Sequence, residues 1–341
     1  MIIDDIEVLP YSIPFTKPLL TSKKKYTHRE GVWIKIFTNN MVGLGEAAPL
    51  HGFNIETLKD VNYALEGFCK AAINEEYDSD DIFSLIEIHS YSCPSLRFGL
   101  ETALFDILSK LSNKNISEYI NINSKKQIEV NGIHNLNTLS DGYKIIKVKM
   151  GYRNLFEEIE CMHSLTKAYG ENIKFRLDLN GALDLTRSIR YCKEMEKFNI
   201  DYIEQPINAQ NLEDLSELRY HTSIPIALDE SLSDYNSTIE ILEKQAADVF
   251  IIKPMVSGGF LETNKILDLL IEENKRSVIT TALETSIGHT ACLHIALANN
   301  ISEPCGLATG SLLSKHNFNF EIVNGVISVP LSIGLGQKLS L

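Results

Sequence analysis

No stretch of this 341-residue chain approaches the ~20 consecutive apolar positions that span a bilayer, so no membrane segment is expected. Basic residues are scarce: 32 lysines and arginines stand against 45 acids, a formal net charge of −13. Such a chain is repelled by a nucleic-acid backbone and by an anionic membrane surface, and neither is an expected partner. The one short basic run, Lys23-Lys24-Lys25, reads as a solvated loop. Cysteines are few and scattered. Cys69, Cys93, Cys161, Cys192, Cys292 and Cys305 contain no C-x-x-C pair, which fits small core residues of a reducing compartment and gives them no chemical role. The opening Met1-Ile2-Ile3-Asp4-Asp5 carries acid where a secretory leader carries base, so a cytoplasmic protein is expected.

The hydrophobic share of 44% and charged share of 23% suit a packed globular protein and exclude a disordered chain. The length accommodates a barrel of roughly 200 to 250 residues plus a smaller domain. Residues 1–120 combine a strand-like stretch, Val32 to Phe37, with helical spacing from Ile55 to Ala71 and from Leu96 to Leu111, the pattern of an α+β lobe. From Ile128 to Cys305 short apolar runs alternate with helical stripes. The runs are Val130 to Ile133, Ile145 to Met150, Ile173 to Leu179, Tyr202 to Ile203, Ile224 to Leu228, Val249 to Ile252, Val278 to Thr281 and Gly306 to Ala308. The tail returns to β-like alternation around Asn324-Gly325, a hairpin signal, and is expected to pack back on the lobe. The fold class expected is α/β: a modified TIM-like (β/α) barrel of about seven to eight βα units in residues 121–316. An α+β capping domain, residues 1–120 completed by 317–341, accompanies it.

Charged residues recur where an unpaired buried charge is costly, at the ends of five successive runs. They are Lys147 with Lys149, Asp178, Glu204, Asp229 and Lys253, spaced 29, 26, 25 and 24 residues apart from Lys149 onward, about one strand-helix unit each. All are expected at one level of the barrel, the C-terminal rim where such barrels build their sites. A single acid at a strand end is usually a helix cap, but three on consecutive strands point to a shared ligand. Asp178, Glu204 and Asp229 are hard oxygen donors with no Cys or His in step, which suits Mg²⁺ better than zinc. Such an ion would also offset their mutual repulsion. Lys147 and Lys149, two apart on a strand, both point into the barrel while Val148 faces the helices. Neighbouring ammonium groups beside a metal disfavour each other's charge, so the pKa of at least one is expected to fall, making it a base. Lys253, four strands round an eight-strand ring, is expected to face Lys149 across the pocket.

These residues resemble the signature of the enolase superfamily, in particular its muconate-lactonising subgroup. Lys147-Val148-Lys149, Asp178-Leu179-Asn180, Ile203-Glu204-Gln205-Pro206, Leu228-Asp229-Glu230-Ser231 and Ile252-Lys253-Pro254 match it in order and spacing. Gly43 to Pro49, Pro94 to Glu101 and the Gly-Leu-Gly at 334–336 are similar to the family's capping domain. Gly43-x-Gly45-x-x-Ala48 is no dinucleotide loop, because Pro49 follows and no helical periodicity begins there. Within the subgroup the chain most resembles o-succinylbenzoate synthases, through Ile279 to Ser286 and Gly306-Leu307-Ala308-Thr309-Gly310. Dipeptide epimerases resemble it in the catalytic residues but typically present an acidic D-x-D pair on the last strand, for which Leu307-Ala308-Thr309 offers no carboxylate.

What the resemblance implies is a dehydratase of menaquinone biosynthesis. Lys149, poised by Lys147, takes the α-proton of a succinyl-hydroxycyclohexadiene carboxylate, Mg²⁺ and Lys253 stabilise the enediolate, and syn loss of water gives o-succinylbenzoate. Mn²⁺ is the expected substitute for the ion. Asn180, Glu230 and Glu284 are candidates for orienting metal ligands or Lys253, and Ser257-Gly258 could bring backbone amides to a substrate carboxylate. Thr281 is a candidate for substrate contact, and Thr21 to Arg29 for a closing loop. The alternatives are a dipeptide epimerase or N-acylamino acid racemase with the same site, or, more remotely, a noncatalytic metal-binding barrel. The expected partner is a small carboxylate substrate, and no oligomeric state is legible.

Overall fold

The computed structural model describes residues 1–20, 25–39, 41–134, 136, 142–314 and 321–339. Residues 21–24 of the expected closing segment, Lys23 and Lys24 among them, and residues 317–320 and 340–341 of the tail lie outside the described residues. The chain opens with an antiparallel sheet of three strands in sequence order: β1 (Asp5–Leu20), β2 (Lys25–Thr38) and β3 (Met41–Ala47). Alternation in β2 buries Val32, Ile34 and Ile36. Against that face lie α1 (Leu58–Ala72), α2 (Ser79–His89) and α3 (Pro94–Leu111), which bury Val61, Leu65 and Phe68, Ile82 and Ile86, and Leu96, Leu100 and Leu104. The strand-like and helical stretches expected in this lobe are β2, α1 and α3. The second helix was not anticipated, although its Asp78 N-cap and its Ile82/Ile86 stripe were readable.

The glycines of β3 are explained by this packing. A Cβ on Gly45 would stand 1.9 Å from the carbonyl oxygen of Gly99, and one on Gly43 2.1 Å from that of Ala103, so strand and helix touch backbone to backbone. Gly45→Ala is expected to lose on the order of 3 kcal/mol or more of stability, read as a lowered urea midpoint, because neither backbone can retreat.

After the short α4 (Ile116–Ile120) and β4 (Gln127–Glu129), seven parallel strands form a curled sheet in sequence order. They are β5 (Gly132–Ile133), β6 (Ile145–Lys149), β7 (Lys174–Asp178), β8 (Ile200–Glu204), β9 (Ile226–Leu228), β10 (Val249–Ile252) and β11 (Arg276–Ile279). The intervening helices are α5 (Leu155–Tyr169), α6 (Leu185–Met195), α7 (Leu212–Arg219), α8 (Tyr235–Glu243), the single turn α9 (Pro254–Ser257) with α10 (Gly259–Glu272), and α11 (Ser286–Ala298). The eighth apolar run is not a strand. Cys305 bridges Val130 and Gly306 bridges Thr280, so one short segment joins the two edges of the sheet. Among the described residues six of the seven strands lead into a helix, fewer than the seven to eight units expected.

Inside the curl, Tyr202, Ala227, Val249, Ile251 and Val278 make a separate apolar plug. Glu204, Asp229 and Lys253 each follow a plug residue by two positions, so they emerge one layer above it. Beneath, the fully buried Arg176 bonds Asp201 at 2.8 Å and stacks 4.6 Å from the Tyr202 ring, and Arg276 bonds Asp201 and Glu303 at 2.8 Å. The plug and this ionic floor seal the bottom and leave the rim as the open end.

The tail corrects one expectation. Its hairpin, β12 (Ile322–Val323) and β13 (Val326–Ser328), turns at Asn324-Gly325 with both φ angles positive, but β13 pairs with β4 instead of the lobe. Ile327 opposite Ile128 buries both, which supplies the reason. The lobe is reached only further on, where Gly334 exchanges hydrogen bonds with Lys114 and Ile116 at 2.8 and 3.1 Å. There the buried His294 accepts from the Ser117 amide at 3.2 Å and faces the Leu335 carbonyl at 3.1 Å, which fixes a neutral ring. Burial lowers His294 to about 4. Because the folded state prefers the neutral form, the full contribution is present above pH 6.5 and is lost as pH falls toward 4. We expect up to about 3 kcal/mol to disappear in that window, seen as a falling urea midpoint whose slope is reduced in His294→Gln. Among the described residues no helix is long and apolar enough to cross a membrane.

Candidate active site

Strand pairing places Lys149 opposite Asp178 and Asp178 opposite Glu204, so the first three charges stand abreast at the rim. Glu204 lies opposite Ala227, which leaves Asp229 two residues further along, and Lys253 two beyond Ile251. The single level expected from the spacing is therefore a stagger, the consequence of strand tilt in a curled sheet.

The side chains nevertheless converge. The Lys147 ammonium donates to Glu204 Oε1 at 2.6 Å and lies 3.0 Å from Asp178 Oδ2. Lys253, largely buried, donates to Asp229. Burial alone would raise Asp178, but Lys147, Lys149 and Lys253 together hold its carboxyl below the ordinary range. Burial pushes Glu204 up to about 8, with Lys147 pulling against it and Asp178 and Asp229 adding to it. Lys147 departs from the expectation that one of the paired lysines would be lowered. Burial does disfavour its charge, yet Asp178, Glu204 and Asp229 raise it well above the usual lysine value. Lys149 is exposed and makes one side-chain hydrogen bond, to Asn180 Oδ1 at 3.1 Å. Asn180 in turn donates to Glu230 Oε1 at 2.8 Å, so these two candidates form a bracket behind Lys149.

The remaining candidates divide. Thr281 joins the rim through a 2.7 Å hydroxyl contact with Thr309. The Ser257 and Gly258 amides donate to Lys253 O and Pro254 O at 2.9 and 3.1 Å, so neither is free for a substrate carboxylate; they close the turn of α9 instead. Glu284 accepts from the Ala282 amide at 2.8 Å and has Arg29 and Glu46 as charged neighbours, which places it at the seam with the lobe. Burial pushes it up to about 7.

The chain and its curled parallel sheet have known relatives. A family model described as enolase C-terminal domain-like matches residues 134–340. The chain belongs to that family. A second model, the N-terminal domain of MenC, matches residues 3–107. A relative from Clostridium acetobutylicum named L-Ala-D/L-Glu epimerase is 28% identical over 347 residues, covering 96% of this chain and 94% of its own. The crystal structure of N-succinyl Arg/Lys racemase from Bacillus cereus is similar in fold, with TM-score 0.90 at 21% identity, covering 100% of this chain and 96% of that one. So is that of the dipeptide epimerase from Enterococcus faecalis complexed with Mg and the dipeptide L-Leu-L-Tyr, with TM-score 0.87 at 22% identity, covering 98% and 99%. The enolase likeness read from the motifs is thus family membership. The finer likeness to o-succinylbenzoate synthases has the N-terminal match beside it, whereas these relatives are named as epimerases and a racemase.

Whether this enolase-family rim suits a divalent ion can be judged from its own atoms. As placed, no three acidic, His or Cys side chains among the described residues stand as a ready metal-ligand group. The acids are met by ammonium instead, Lys147 between Asp178 and Glu204 and Lys253 on Asp229. Glu204 Oε2 is buried and accepts no hydrogen bond. An all-oxygen donor set, cations already drawn among the acids and an unmet buried carboxylate oxygen are what a Mg²⁺ site would leave without its ion.

Gln205 was legible only as part of a motif, without a role of its own. At φ 41° it turns its amide across the rim, accepting from the Asp229 and Ser231 amides at 3.1 and 3.2 Å and donating to Ser231 Oγ at 2.8 Å. It thereby fixes the backbone that carries Asp229. The lobe contributes Phe53, whose ring lies 4.3 Å from the Lys253 ammonium.

Proposed function

We propose that this protein removes the proton α to a carboxylate and returns one to the same carbon, racemising an N-acylated amino acid. The observation that carries the reading is that Lys149, at the end of β6, and Lys253, just beyond β10, stand on either side of the strands β7, β8 and β9 that present Asp178, Glu204 and Asp229. Two amines flanking one carbon give a base and an acid for a 1,1-proton transfer. Asp178, Glu204 and Asp229 would hold Mg²⁺. When bound, the ion supplies the positive charge that binds the substrate carboxylate and acidifies the neighbouring carbon. Lys149, exposed and steered by Asn180, takes or gives the proton on one face; Lys253, buried against Asp229 and Phe53, does so on the other.

The acylated amine is favoured by the closing segment. Leu307 and Ala308 are buried, and Thr309 offers a hydroxyl shared with Thr281, a setting for an amide and not for a free ammonium. The racemase and epimerase names of the relatives support the reaction type. A second reading, syn dehydration of a succinyl-hydroxycyclohexadiene carboxylate, is favoured by the MenC match over residues 3–107. In it Lys149 removes the proton and hands it to the departing hydroxyl. Incubation in D₂O with Mg²⁺ separates the two. A racemase washes deuterium into the α-position of both enantiomers of an N-succinyl amino acid, whereas a dehydratase leaves them unlabelled and converts the cyclohexadiene to a product with an aromatic ultraviolet band. Activity on neither substrate would contradict both readings.

A further inference from the structure

Among the described residues, Lys253 is a rim cation that the N-terminal lobe meets with an aromatic face. The loop after β3 is shaped by Gly52 at φ 94° and by a turn in which Phe53 and Asn54 both donate to Leu50 O at 3.0 Å. Asn54 then ties this loop in three directions. Its Oδ1 accepts from the Leu50 amide at 3.0 Å, and its Nδ2 donates to Glu56 Oε1 at 3.0 Å and to Met255 O at 3.1 Å. Met255 lies two residues beyond Lys253, in the turn that Lys253 itself begins. The loop is therefore fastened to the segment that carries Lys253, and in that position it sets the Phe53 ring 4.3 Å from the ammonium. The same ammonium meets Asp229.

We propose that Phe53 and Asn54 form a clamp from the lobe that positions Lys253, Asn54 fixing the loop and Phe53 supplying an apolar, π-bearing wall against the ammonium. The physical basis is that a lysine held by one carboxylate keeps freedom about its four-carbon stem, and an aromatic face as a second contact restricts it while excluding water. Leucine has comparable bulk but no π face, so the two contributions separate. Phe53 and Asn54 act through Lys253 and are positioning residues. Lys149, held by Asn180 just beyond the neighbouring strand β7, is not under their control.

The consequence is an asymmetry between the two faces, which rests on the racemase reading. Phe53→Leu is expected to slow α-deuterium exchange about tenfold for the enantiomer served by Lys253, the one whose exchange Lys253→Ala abolishes, and to leave the other within about twofold. Phe53→Tyr restores the lost rate, and Asn54→Ala reproduces the loss. Equal slowing of both enantiomers would overturn the clamp, since that is what loosened packing produces. A second readout is independent of turnover. In the full-length wild type the Lys253 ε-methylene protons should be shifted upfield by the Phe53 ring, and Phe53→Leu should return them to the ordinary lysine position while Phe53→Tyr does not. Unshifted wild-type protons overturn the clamp. If wild type exchanges neither enantiomer, the racemase reading fails, and the methylene shift alone decides the clamp.

Discussion

Lys149→Ala is expected to lower turnover by about 10³-fold while leaving the thermal midpoint unchanged. The two halves of that expectation come from one observation. Lys149 is the exposed end of β6, and its single side-chain hydrogen bond, to Asn180, is solvent-accessible, so removing it forfeits little folding energy. Proton transfer, by contrast, has no substitute on that face, because Lys147 two residues earlier is tied to Asp178 and Glu204. Its raised pKa keeps Lys147 a cation, useful for charge balance and unsuited to act as a base. Lys147→Ala should therefore behave differently, losing stability as well as turnover, since it leaves two buried carboxylates without their partner. The comparison is made by steady-state assay beside thermal melts. Retained turnover in Lys149→Ala would remove it from the chemistry.

Glu204→Gln is expected to weaken Mg²⁺ binding on the order of 100-fold or more, while the ion-free protein melts no lower than wild type. Glu204 has no solvent exposure, and one of its oxygens accepts nothing. A buried carboxylate raised to about 8 is a liability to the folded state, one retained for function at the expense of stability. Glutamine keeps the acceptor facing Lys147 and removes the charge. Wild type should melt higher as Mg²⁺ is added, in proportion to binding of the folded form, and the variant should not. Chelation should abolish wild-type turnover and added Mg²⁺ should restore it. An unchanged Mg²⁺-dependent shift in Glu204→Gln would place the ion elsewhere.

Much of the rim was legible because period-two geometry and the strand-helix repeat are local rules. Lys147-Val148-Lys149 announces two inward lysines on any strand, and Val249 to Ile252 coincides with β10. The acids recur at one unit's spacing whether or not the strands are level, which is why the convergence was foreseen and the stagger of Asp229 was not. Partners that depend on tertiary approach left no local trace. Phe53 meets Lys253 across 200 residues, and Gln205 reaches Asp229 only because its backbone turns to positive φ after β8. The run from Gly306 to Ala308 erred the other way: it reads as a strand, yet only single bridges form, at Cys305 and Gly306. The tail hairpin announces a turn but not the edge it joins. The long β1 was hidden for a different reason: Pro10, Pro14 and Pro18 interrupt its alternation, and an edge strand tolerates them.

The account turns on distant side chains sharing one cation, and a crystal structure grown with Mg²⁺ and an N-succinyl amino acid tests it most directly. We expect one octahedral ion about 2.1 Å from oxygens of Asp178, Glu204 and Asp229, with Lys149 and Lys253 on opposite sides of the substrate's α-carbon. An ion bound away from these three acids, or both lysines on one side of that carbon, would contradict it.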